Sequence, residues 1–198
     1  MRKILPLLAA LAAACLMTPA QAQSPGGYAG VGIMSVTTDN ASEFAAVNAT
    51  SGERTATGLK VYGGYMWNRF GVEAGYYDLG SYDVFTGGAK TDEFATTATA
   101  VSAVFAMPFA NQFAFNAKLG IAFTSADYTC ISLCTSSIFS SSKSGIAGLF
   151  GAGVGWRPAQ NFTLRADLEI FSDILHRAGV FEAYYPYSAF SVSGQFNF

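Results

Sequence analysis

Residues 162–170 switch between two chemistries at every step. Phe162, Leu164, Ala166, Leu168 and Ile170 fall on one side of a period-2 pattern; Thr163, Arg165, Asp167 and Glu169 fall on the other. Successive side chains of a β-strand point to opposite faces, so this segment predicts a strand with an unbroken apolar face backed by charges. The pattern recurs along the chain. Phe113, Phe115, Ala117, Leu119, Ile121 and Phe123 oppose Asn116, Lys118, Gly120, Ala122 and Thr124. Phe190, Val192, Gly194, Phe196 and Phe198 oppose Ser191, Ser193, Gln195 and Asn197, and Phe70, Val72, Ala74 and Tyr76 oppose Gly71, Glu73, Gly75 and Tyr77. Helix-capping signals followed by a 3.6-residue stripe are absent, and the interior glycines would weaken a helix further.

Eight such segments are expected, at about 27–36, 56–67, 70–79, 93–107, 112–125, 144–157, 161–172 and 186–198. Their connections alternate in length. Asn68 and Arg69, then Pro108 to Asn111, then Pro158 to Gln160 are short; 37–55, 80–92, 126–143 and 173–185 are long and polar. Outer-membrane barrels have short periplasmic turns and long external loops. An even strand number places both termini on the periplasmic side, and the loop lengths then sort by end. A soluble sandwich or lipocalin has no reason to sort them.

Composition points to lipid. The chain is 51% hydrophobic and 12% charged, whereas a soluble domain carries roughly 25% charged residues. Disorder is excluded by that hydrophobicity. Nucleic-acid binding is disfavoured, because 11 Lys+Arg against 13 Asp+Glu leave no basic excess for phosphates. Beyond the first residues no apolar run reaches the roughly 20 that a membrane helix needs; Ala98 to Ala110 contains Ser102 and Pro108. A closed barrel is the remaining way to span a bilayer. Alternation alone is symmetric under turning the barrel inside out, which keeps a lipocalin-like binder as the rival. Glycines on the polar faces, a nearly uninterrupted apolar face and the shortage of charge favour the apolar side outward.

Arg2 and Lys3, the apolar stretch Ile4 to Met17, and Ala20-Gln21-Ala22 compose a secretory signal. Residues 1–22 are expected to be removed, leaving 23–198 as the barrel domain. Ala12-Ala13-Ala14-Cys15 loosely suggests a lipoprotein box, but the usual Leu three residues before the Cys is missing; the plainer reading makes Cys15 part of a discarded peptide. Trp67, Phe70, Phe113, Trp156, Phe162 and Phe198 lie beside the short turns or the C-terminus and are expected to form the periplasmic aromatic girdle. Tyr76, Tyr77 and Phe123 are placed in an outer girdle.

The runs Leu59-Lys60-Val61-Tyr62-Gly63-Gly64-Tyr65 and Asn68-Arg69-Phe70-Gly71-Val72-Glu73-Ala74-Gly75-Tyr76-Tyr77-Asp78-Leu79-Gly80 resemble the second and third strands of small OmpA-like outer-membrane barrels. Phe198, with Phe190, Val192 and Phe196 before it, is similar to the C-terminal signal read by the barrel-assembly machinery of such proteins. The resemblance implies an all-β fold, an eight-stranded antiparallel transmembrane β-barrel with up-and-down meander order. It also implies a Gram-negative outer membrane, and contact with lipopolysaccharide-bearing lipid, the assembly machinery and periplasmic chaperones. Because the sequence ends at the barrel, the likeness is to the stand-alone members, and a role in anchoring the membrane to the cell wall is not expected.

Lys60, Glu73, Lys118, Arg165, Asp167 and Glu169 all fall on polar faces. Eight strands leave an interior that side chains fill, and unpaired buried charge is costly; a salt-bridged plug is therefore expected, with a gate as the alternative. The resemblance implies the same, since small OmpA-like barrels carry interior Arg/Lys–Glu pairs. Cys130 and Cys134, in one long loop, are expected to form a disulfide after passage through an oxidising compartment. They are too few for a metal site. Ser172, Asp173 and His176 sit close in sequence and raise a lipid-modifying enzyme as a third, less supported reading, but no Gly-x-Ser-x-Gly elbow accompanies them and the region reads as an ordinary loop start. No catalytic residue, cofactor or metal is expected. The function expected is a structural or surface-interaction role through long external loops of unknown partner; the alternative is a narrow channel for ions or small solutes.

Overall fold

Each alternating segment finds its hydrogen-bond partner in the next. The computed structural model describes residues 25–38, 51–52, 54–86, 88–131, 140–178 and 181–198. Its strands are β1 (Gly26–Thr38), β2 (Ser51–Gly52), β3 (Thr55–Met66), β4 (Phe70–Thr86), β5 (Ala89–Ala110), β6 (Phe113–Cys130), β7 (Ser140–Ala159), β8 (Phe162–Ala178) and β9 (Phe181–Asn197). The eight long strands pair antiparallel in meander order, and β1 pairs with β9 from Tyr28↔Asn197 to Thr38↔Tyr187, which closes the barrel. The two-residue β2 only extends the edge of β4, at Ser51↔Phe85 and Gly52↔Val84.

The short turns are tight. Trp67 N–H donates to the Phe70 carbonyl at 2.7 Å. Asn68 takes φ of 113° there, a region that Asn tolerates better than most side chains. Arg157 N–H donates to the Gln112 carbonyl at 2.7 Å and Asn197 N–H to Asn161 at 2.8 Å, so each remaining turn is tied to a neighbouring strand.

The outer ends differ from the sequence expectation. Most of 80–92 and 173–185, and residues 126–130 and 140–143 of the third segment, all expected as loops, continue as strand. Loss of apolar outward residues marks where lipid ends, not where pairing ends. The inward residues of these extensions, among them Tyr82, Val84, Ala126 and Ile174, are buried. Two bulges hide the continuation by breaking the alternation, one between Asp78 and Ser81 and one between Phe171 and Ile174. Gly80 makes the first, at φ of 84°, with its N–H bonded to Asp78 Oδ1 at 3.0 Å. A Cβ there would stand 2.7 Å from that of Ala56.

Apolar side chains cover the outside. On β6 the exposed run Phe113 to Phe123 spans eleven positions, the length a tilted membrane strand needs. Above it the outward positions are Ser125, Asp127 and Thr129, so the wall stands clear of the lipid there. Residues 1–22, the expected signal segment, lie outside the described residues.

Candidate functional site: the charged barrel interior

The inward positions of the strands stack three layers along the axis. Arg165, Asp167 and Glu169 come from alternate positions of β8, Lys60 from β3, Glu73 from β4 and Lys118 from β6; all six are buried. They pair in a closed ring. Lys60 Nζ lies 2.9 Å from Asp167 Oδ2 and 3.0 Å from Glu169 Oε2. Lys118 Nζ lies 2.8 Å from Glu169 Oε1 and 2.6 Å from Glu73 Oε1. Arg165 closes the circuit, 2.8 Å from Glu73 Oε2 and 3.3 Å from Asp167 Oδ2. Every cation bridges two carboxylates and every carboxylate two cations, so the ring is neutral.

Three tyrosines complete the layer. Tyr62 sits among the cations, with Lys60, Lys118 and Arg165 at 5.3, 5.9 and 5.0 Å from its ring centre. Each is within the range where an aromatic face attracts a cation. Its hydroxyl meets Ser193 Oγ at 3.0 Å. Tyr28 O–H donates to Glu73 at 2.9 Å and Tyr77 O–H to Glu169 at 3.2 Å. Tyr77 is thus an interior residue, 1% exposed, and the outer-girdle assignment is wrong for it; Tyr76 and Phe123 do face outward. The parity that Tyr62 shares with Lys60 and Tyr77 with Glu73 was the available signal; Tyr28 stands on a strand without charged residues.

Glycine makes the room. On β7, Gly151 and Gly153 face the ring, and a Cβ at Gly151 would stand 2.5 Å from Lys118 Cγ. Outward of the ring an apolar layer fills the bore, including Met34, Val36, Leu79, Leu149, Phe171 and Ile174. Tyr77 and Phe171 meet edge to face at 5.1 Å, and Tyr82 and Tyr187 at 5.7 Å. Toward the short turns lie Tyr28, Met66, Val104 and Ala106. The arrangement ties four strands together. Buried charges tolerate this only with near-complete pairing, and removing one member of such a pair typically costs about 3–5 kcal/mol.

The other sequence-selected residues are dispersed. Trp67, Phe70, Phe113, Trp156 and Phe162 are exposed around the short-turn end. Trp67 packs on Tyr65 at 5.3 Å, Phe70 on Phe105 at 5.0 Å and Phe113 on Trp156 at 6.4 Å. Phe190, Val192 and Phe196 face outward on the last strand, and Phe198, just past its end, is exposed. Cys130 ends β6, and Cys134 lies outside the described residues. Ser172 Oγ accepts a hydrogen bond from Gly148 N–H at 3.1 Å; the side chains of Asp173 and His176 lie outside the described residues. Among the described residues no group of three or more His, Cys, Asp or Glu is arranged to hold a metal ion.

Two polar groupings stand on the outer wall. Lys90 pairs with Asp83 at 2.7 Å and Glu93 at 2.9 Å, and these hydrogen bonds hold its ammonium above the usual lysine range. Tyr128 O–H donates to Asp92 Oδ1 at 2.5 Å; burial, reinforced by that bond, pushes its phenol above the usual tyrosine range.

The family model described as the OmpA-like transmembrane domain matches residues 22–193. No curated protein matches the chain. Among solved structures, OprG from Pseudomonas aeruginosa superposes with a TM-score of 0.65 at 16% identity, over 90% of this chain and 98% of that one. Neisserial surface protein A gives 0.64 at 13% identity, over 87% and 97%. Ail, the attachment invasion locus protein of Yersinia pestis, gives 0.54 at 13% identity, over 88% and 99%. At these identities the structural likeness is one of fold. The family match spans most of the chain, and this protein belongs to the OmpA-like transmembrane domain family of outer-membrane β-barrels.

Proposed function

We propose that the protein is a sealed barrel whose work is done at its outer end, as a structural membrane component with a surface-interaction role. The observation that carries this reading is the closed six-charge ring capped by an apolar layer. Lys60, Asp167 and Glu169 side chains are all 0% exposed, and a water path needs wetted groups. The wall above the lipid band supports the second half of the reading, since it lifts the loops clear of the membrane. Ail and Neisserial surface protein A are named for attachment and for the cell surface, which is consistent with a similar site of action here. Ail is also known bound to a heparin analogue. The described outer wall of this chain carries Asp78, Asp83, Glu93 and Asp127 against Arg54, Lys90 and Lys143, an acidic balance that disfavours a polyanionic partner.

Biogenesis follows the same reading. Residues 1–22 direct export and are removed. The outward Phe190, Val192, Phe196 and Phe198 present the alternate apolar edge for the assembly machinery and its chaperones. The lipid face then meets lipopolysaccharide-bearing lipid. Cys130, at the outer end of β6, pairs with Cys134 to close a small loop tip.

Swelling of lipid vesicles tests the sealed interior. Vesicles carrying the refolded barrel should swell in arabinose no faster than empty ones. Swelling that scales with the amount of folded protein would replace this reading with a solute channel.

A further inference from the structure

The barrel is filled outward of the ring but hollow on its periplasmic side. A cavity of about 80 Å³ opens between the β5–β6 turn and the underside of the ring, with Arg165 in its wall. One water needs roughly 10–15 Å³ on this measure, so the space suits a molecule of about five to eight heavy atoms. It is too small for a sugar dimer or an acyl chain.

The lining is cationic and unsatisfied. The six ring charges cancel, but Arg157 also lines the cavity. Among the described residues no carboxylate engages Arg157, so the cavity carries one net positive charge. Two buried polar atoms in its wall lack partners, Arg165 Nε and Asn116 Oδ1. Arg165 is 6% exposed and its two terminal nitrogens are committed to the ring. Its Nε–H is therefore a spare, fixed donor. A buried polar group left without a partner costs about 1–3 kcal/mol, more when charged. One ligand relieves both groups if it brings an oxyanion for Arg165 and Arg157 and a hydroxyl for Asn116. Met66, Val104 and Phe113 supply an apolar flank for a short carbon stem.

We infer that the periplasmic vestibule is a binding site for a small hydroxylated oxyanion, either hydrogen phosphate or a short hydroxycarboxylate, held by Arg157, Arg165 Nε and Asn116. This goes beyond the sealed-barrel reading and does not depend on what the outer end binds.

The test is a nuclear magnetic resonance titration of the full refolded barrel, following the Arg165 Nε–H and Asn116 side-chain signals at constant ionic strength. Sodium glycolate and sodium phosphate are the probes. Sodium chloride and sodium acetate, which lacks the hydroxyl, are the comparisons. Saturable shifts with glycolate or phosphate are expected, and whichever saturates at lower concentration identifies carboxylate or phosphate as the source. Acetate should bind at least threefold more weakly, and Arg157→Gln should weaken binding tenfold or more while keeping heat-modifiable gel migration. Should that variant fail to fold, Asn116→Leu carries the test, with the preference for glycolate over acetate lost. No saturable shift, an equal response to chloride, acetate binding as tightly as glycolate, or unchanged affinity in the variant would overturn the inference.

Discussion

Arg165 of β8 reaches Glu73 of β4 across the bore at 2.8 Å, and no strand pairing joins those two strands directly. The bond is one edge of the six-charge ring, so its loss opens the circuit rather than deleting an isolated pair. Glu73→Gln leaves Lys118 and Arg165 with one carboxylate each. A loss of about 3–5 kcal/mol is expected, read by urea unfolding of the barrel in lipid vesicles. A cycle with Lys118→Met should show coupling of roughly 0.5–3 kcal/mol, as for residues sharing one network. Additive losses would mean that the ring does not act as a unit.

The lipid face makes an independent prediction. Leu119 lies mid-band on β6 and Asp127 lies above the band on the same outward face. Leu119→Arg should cost about 2–4 kcal/mol, falling toward zero with distance from the midplane. Asp127→Arg should leave stability within about 0.5 kcal/mol. Equal costs at the two positions would misplace the membrane.

Gly151 and Gly194 separate interior from exterior. At Gly151 a Cβ would meet Lys118 Cγ, whose ammonium is already held by two carboxylates. At Gly194 the nearest atoms are Phe162 ring carbons at 3.4 Å, an ordinary contact. Gly151→Val should destabilise by about 1–3 kcal/mol, the range for forcing extra atoms into a packed interior. Gly194→Ala should be neutral within about 0.5 kcal/mol.

Tyr128 predicts a pH response of the outer wall. Its phenol is raised above the unfolded value by burial and by its bond to Asp92. A raised folded-state pKa stabilises the fold fully below the ordinary tyrosine pKa of about 10 and loses that contribution as pH climbs through the folded value. The ultraviolet phenolate signal missing in Tyr128→Phe should therefore titrate above pH 10. A missing step at the ordinary tyrosine value would place Tyr128 in open water.

The membrane band and the ring members were legible because both follow parity. Lys60, Glu73, Lys118, Arg165, Asp167 and Glu169 share the face opposite the apolar run. Parity says which residues point inward but not which meet, so the closed circuit and Tyr62 at its centre needed three dimensions. Tyr77 misled because an aromatic near a strand end fits a girdle as well as a core. The strand extensions were hidden by the bulges at Gly80 and between Phe171 and Ile174, which shift the alternation, and by outward polar residues that resemble loop composition. Arg157 carries no sequence signal, because its importance lies in the lack of a carboxylate beside it, a relation among distant residues.

The central claim is that the ring and its apolar cap close the bore, and single-channel recording in a planar bilayer tests it most directly. The account predicts that refolded barrel, verified as folded by heat-modifiable gel migration, inserts without discrete current steps. Stable steps from the wild-type protein, altered in Glu73→Ala or Arg165→Ala, would contradict it and show that the interior charges line a water path.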